Sequence, residues 1–175
     1  MNPDRSDVPR SAARPLRYLD RYVTVSQGQV FYMTELLAQI EGLERGPAGN
    51  TSLAAAFAIA QEYDNDDIIV VQETEYTGAG KHLLPQLTFA KENGIEIIIG
   101  DPMEEVPGKN IILPSHPSLM QVKNIELSNL RRSYIFNALK EVKEAEIEQG
   151  DLIYLSQETR METSEIEKVI HDFYK

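Results

Sequence analysis

The sequence predicts an α/β fold, a parallel sheet with flanking helices, on three observations. Two β-branched runs, Ile68–Val71 and Ile95–Ile99, bracket a segment of helical period, at the spacing of a right-handed βαβ crossover. Upstream, Val30, Met33, Leu36, Leu37, Ile40 and Leu43 recur every three or four residues as one buried helical stripe. Between these lies an alanine-rich helix, small enough in its side chains to approach a sheet or another helix closely.

Residues 1–15 hold three prolines and three arginines with little apolar content, and are expected to be a flexible lead-in. Tyr18 to Val25 suits a short strand or a connecting segment. The striped helix follows and is broken by Gly46-Pro47-Ala48-Gly49, after which Asn50, Thr51 and Ser52 are good N-capping types. The next helix runs to about Tyr63 and carries Ala54, Ala55, Ala56, Ala58 and Ala60. A polar turn at 64–67 leads to Ile68–Val71, a strand expected to be buried on both faces. After a glycine-rich turn, Pro85 opens a helix with Leu84, Leu87, Phe89 and Ala90, and Gly94 stops it. Residues 100–119, with four prolines, read as an irregular loop. A long helix then carries Leu127, Leu130, Tyr134, Ala138 and Val142 on one face. Ser164 and Glu167 have the spacing of a capping box ahead of Ile166, Val169, Ile170 and Phe173. This divides the chain into 1–15, a lead-in; 16–142, an α/β domain; and 143–175, a C-terminal helical segment.

Composition narrows the function. A formal charge of −11 argues against nonspecific binding to nucleic acid or an anionic membrane, which requires clustered Lys and Arg. The absence of Cys removes disulfides, thiolate nucleophiles and thiolate metal sites together. No apolar run has the length of a membrane span, and the N-terminus lacks a signal-peptide core, so a cytoplasmic location is expected. His82, His116 and His171 are far apart, and Glu73 and Glu75 form no metal-ligand pattern. Arg131-Arg132 suits a solvated helix face best, with an anionic ligand as the less favoured reading.

The chemistry concentrates in Val70-Val-Gln-Glu-Thr-Glu-Tyr-Thr-Gly-Ala-Gly-Lys81. A hydroxyl just before glycine, at the carboxyl end of a parallel strand, lies where open α/β sheets place their ligands. Thr77 with Gly78 is the candidate pair and Thr74 the alternative; the plain structural reading is that Thr77 opens a tight turn. The segment is not a P-loop, because the two glycines and the Lys lack the required spacing and His82 occupies the hydroxyl position.

In order, the corner at 41–56, the strand and this glycine turn resemble the C-terminal part of fold type II pyridoxal-phosphate (PLP) enzymes, the tryptophan synthase β group. The finer resemblance is to the β subunits of 2-amino-4-oxopentanoate thiolases. It rests on Glu41-Gly-Leu-Glu-Arg-Gly-Pro-Ala-Gly-Asn-Thr-Ser52, on 70–82, on Phe89-Ala-Lys-Glu-Asn-Gly-Ile95 and on Gly108-Lys-Asn-Ile-Ile112. The resemblance implies part of the large domain of such an enzyme. It also implies Thr77 and Gly78 at the cofactor ring, and the 41–56 element packed beside the ring face. The implied reaction is cleavage of an amino-acid substrate by coenzyme A to acetyl-CoA and alanine, a step of ornithine degradation, with a small α subunit as partner. One departure is large. No Lys precedes Lys81 and no Gly-Gly-Gly phosphate cup occurs, so the resemblance carries over no catalytic lysine. The chain is therefore expected to be inactive alone and to complete a PLP site with a missing N-terminal half. The alternative is a cofactor-free α/β module for binding or regulation, derived from such an enzyme.

Overall fold

A computed structural model describes residues 16–72 and 83–175 of the chain. They form a helix-rich α/β structure in two compact units, Val23–Lys123 and a smaller unit of residues 16–22 with Asn124–Lys175. The two-residue strands β1 (Val23–Thr24) and β4 (Lys123–Asn124) lie where the chain passes from one unit to the other.

In the larger unit, α1 (Gln27–Glu41) begins at Ser26, whose hydroxyl accepts the Gln29 N–H, and ends at Gly42 in the left-handed conformation (φ 66°). Its stripe is buried only in the first half. Val30, Phe31 and Met33 lie in the core, whereas Ile40 and Leu43 are exposed, contrary to the period-based expectation. The reason is local: the chain turns away after Gly42, and the end of α1 has no covering layer among the described residues. α2 (Asn50–Ala60) packs on α1 through Ala54 and Ala58, both buried, so the small side chains do permit close helix approach. It stops short of Tyr63, and its N-cap is Gly49 with no side-chain capping bond. Asn50 is instead the first helical residue.

The parallel sheet is present as one pair. β2 (Glu96–Gly100) aligns with β3 (Asn110–Pro114), placing Ile97 opposite Ile111, Ile98 opposite Ile112 and Ile99 opposite Leu113. β3 corrects the expectation of an irregular loop over 100–119. Prolines at 107 and 114 frame an Ile-Ile-Leu run short enough to be masked by its neighbours. α3 (Leu83–Glu92) covers β2, and Gly94 (φ 76°) turns the chain between them. α1 lies against β3 so closely that a Cβ on Gly28 would sit 1.8 Å from the Ile112 carbonyl oxygen, so only glycine lets helix backbone meet strand backbone there.

The expected strand Ile68–Val71 is not one. The segment joins no ladder, and Ile68 and Val70 are each 90% exposed. A strand buried on both faces needs pairing neighbours and two covering layers, and the described residues do not provide them.

In the smaller unit, α4 (Leu127–Leu139), α5 (Gln149–Thr159) and α6 (Thr163–Tyr174) share a core of Ile135, Leu139, Leu152, Leu155, Ile166, Val169 and Ile170. A 3₁₀ turn at Leu16–Tyr18 buries Leu16 against α5, aided by Arg17–Glu158 and Arg160–Asp20 ion pairs. The capping box at Ser164 does not form, because α6 starts two residues earlier with Glu162 as N-cap. Among the described residues no helix is long and apolar enough to cross a membrane.

Candidate functional site

The corner between α1 and α2 is the described part of the sequence-predicted site. Gly42 ends α1 by donating its N–H to Ala38, and Gly46, Pro47 and Gly49 are buried as the chain doubles back into α2. Asn50 is fully buried there. Its Nδ2 donates to Thr34 Oγ1 at 3.1 Å, and that hydroxyl donates in turn to the Val30 carbonyl at 2.8 Å. Since the Thr34 proton is committed to Val30, the hydroxyl can only accept from Asn50, and this fixes the amide orientation. Among the described residues, Asn50 Oδ1 is then left buried with no hydrogen-bond partner. An orphaned buried carbonyl costs about 1–3 kcal/mol relative to a satisfied one.

Ser52 ties this corner to the next segment. Its hydroxyl lies 2.8 Å from the Gln72 carbonyl and 3.2 Å from that of Gly49, and its single proton serves the shorter contact. The extended segment ending at Gln72 is thereby held at the first turn of α2. Thr77 and Gly78, with Thr74, Lys81 and His82, lie outside the described residues.

The N-terminus of α1 is chemically closed. Glu105 Oε1 accepts the Gln27 N–H at 2.8 Å, and Oε2 accepts those of Gly28 and Ile112, each at 2.9 Å. The carboxylate sits where a helix would otherwise attract a phosphate. A cleft of about 350 Å³ opens beside it, between Ser26, Gln29, Pro102, Met103 and Lys123. Gln29 in its wall is engaged at both ends, accepting from Gln121 N at 2.7 Å and facing the Ser26 hydroxyl at 3.4 Å. This was not legible in the sequence, because nothing local marks Glu105 as the cap of a helix starting 78 residues earlier.

In the smaller unit, Asn129, Arg132, Ser133, Phe136, Asn137 and Lys140 occupy one face of α4 and, with Phe173, line an open cleft of about 540 Å³. Arg132 is stacked 5.1 Å from the Phe136 ring centroid and paired with Asp172 at 3.1 Å. The Asp172 carboxylate offsets the charge of Arg132, one of the two arginines that the sequence offered to an anion. His116 accepts the Ser118 N–H and so caps a 3₁₀ turn. Among the described residues, no group of three or more potential ligands gathers for a metal ion.

Comparison with known proteins gives the corner its context. The chain is similar to part of a thiolase subunit. It is 60% identical over 170 residues to the 2-amino-4-ketopentanoate thiolase beta subunit of Acetoanaerobium sticklandii. It is 56% identical over 170 residues to a subunit of the same name from an unknown prokaryotic organism. Each match covers 97% of this chain, and the chain spans 36% of the length of either thiolase subunit. No family model and no solved structure matches.

For the cofactor expected from the resemblance, the described residues fit as one wall only. The corner is rich in small residues, which would let a flat ring lie close to the backbone. The N-terminus of α1 offers no phosphate site, because Glu105 occupies it.

Proposed function

We propose that this chain is the C-terminal portion of a 2-amino-4-ketopentanoate thiolase β subunit. It would act in a complex that includes an α subunit and the sequence the relatives carry beyond the matched 36%. The observation that carries this is 60% identity over 170 residues, 97% of the chain. The reaction is cleavage of 2-amino-4-oxopentanoate by the thiol of coenzyme A, giving acetyl-CoA and alanine in ornithine degradation.

PLP, when bound, supplies an electron sink for the carbanion left by carbon–carbon cleavage. On this reading Thr77, or Thr74 in the other register, offers a hydroxyl to the ring nitrogen. Gly78 would let the backbone approach the ring, and the 41–56 element would pack beside its face. A neutral hydroxyl does not require a protonated ring, which tempers the sink. The described residues contribute hydrogen bonding: Ser52 holds the segment ending at Gln72, which leads in sequence to Thr77. The Schiff-base lysine and the phosphate cup are assigned to the other part of the subunit.

The test is reconstitution. This chain is combined with the unmatched part of the Acetoanaerobium β subunit and its α subunit, and coenzyme A-dependent formation of acetyl-CoA and alanine is followed together with the visible spectrum. Activity and an absorption band from bound PLP are expected, and Thr77→Ala should alter the band. A colourless, inactive but assembled complex overturns the reading in favour of a cofactor-free module.

A further inference from the structure

The segment Ile68–Val71 has the composition of an interior strand and the environment of an exposed edge. Exposure alternates along it: Ile68 and Val70 are 90% exposed, Ile69 is 39% exposed and Val71 is half-buried. A period of two is that of a strand, with one face less exposed than the other. The Ser52–Gln72 hydrogen bond holds its downstream end, so the segment is presented rather than loose. Among the described residues its backbone takes part in no ladder, which leaves donors and acceptors available to a neighbour.

Leaving four consecutive β-branched residues in this state is unfavourable. Covering an Ile or Val side chain stabilises by about 1.5–3 kcal/mol, and an unpaired apolar strand templates pairing with other chains. The flanks show how self-pairing is restrained. Asp64, Asp66 and Asp67 precede the run and Glu73 and Glu75 follow it, so a second copy would bring like charges together at both ends. Charge therefore favours a different occupant, apolar in its centre and neutral or basic at its ends. The relatives carry nearly twice as much polypeptide again outside the matched 36%.

We propose that Ile68–Val71 is a docking strand. It pairs through its backbone with an extended aliphatic segment from the part of the thiolase β subunit that this chain does not span, and that part covers Ile68 and Val70. The identity of the partner rests on the proposed function; the docking strand itself rests on exposure, period and flanking charge.

The experiment mixes this chain with the unmatched part of the Acetoanaerobium β subunit. Association is measured by sedimentation and amide exchange is followed over 68–72. A stable complex with slowed exchange at these amides is expected, and Ile68→Lys or Val70→Lys should weaken it at least a hundredfold. Both side chains are solvent-facing, so circular dichroism of the separate variants should match the unaltered chain. Ile40→Lys, exposed at the far end of α1, should bind as the unaltered chain does. Three results overturn the proposal: no association, association indifferent to both lysine substitutions, or a homodimer of this chain that Val70→Lys dissolves. Association without thiolase activity counts against the functional reading alone.

Discussion

At the scale of single residues, Glu105 does more for the larger unit than its half-buried position suggests. One carboxylate satisfies two amides at the start of α1 and one in β3, joining a helix to a strand across 77 and seven residues of chain. Bonds to a charged acceptor are worth about 1.5–3 kcal/mol each in favourable cases, and amides left unpaired add a desolvation cost. Glu105→Ala is therefore expected to destabilise the larger unit by roughly 2–4 kcal/mol, with Glu105→Gln recovering part of the loss. Chemical denaturation measures both, and equal stability of the three proteins would remove Glu105 from this role. The sequence shows Glu105 only as one acidic residue among 28. Asn50 was legible differently: its residue type suggested a cap, whereas burial made it an interior amide bonded to Thr34.

At the scale of elements, the smaller unit holds together through α6. Ile166 is fully buried and sits where α4, α5 and α6 meet. Replacing it with Ala leaves a cavity lined by packed neighbours, for which about 2–5 kcal/mol is expected. Thermal unfolding should show the loss, and a change within 0.5 kcal/mol would contradict the packing. α6 was readable because its apolar residues keep one helical face throughout. α5 was not, since Leu152 and Leu155 are the only two fully buried aliphatics in a polar stretch. β3 escaped notice for another reason: a three-residue apolar run between prolines becomes a strand only when β2 lies beside it.

At the scale of the whole molecule, exposed apolar surface is the property with the clearest consequence. Ile68, Val70, Ile99, Leu84 and Phe89 are all at least 67% exposed within the larger unit. Such surface binds environment-sensitive hydrophobic dyes. The isolated chain is expected to enhance dye fluorescence several-fold, and the unmatched part of the β subunit should suppress much of that signal on binding. A chain that binds no dye would contradict the exposed surface. Charge answers part of the solubility problem, since −11 on 175 residues opposes close approach of copies.

The sequence by itself determined the α/β class, the helical character of α1 and α3, the glycine stop at 94, and the likeness to part of thiolase β subunits. These depend on local period, on backbone freedom at glycine and on residue identity, all of which are present in a short window of chain. Tertiary structure alone decided the pairing of β2 with β3, the closure of α1 by Glu105, the burial of Asn50 and the bareness of Ile68 and Val70. Each depends on what lies opposite a residue. An apolar run states only that it is stable when covered, and the covering layer is supplied, or withheld, by chain far away in sequence.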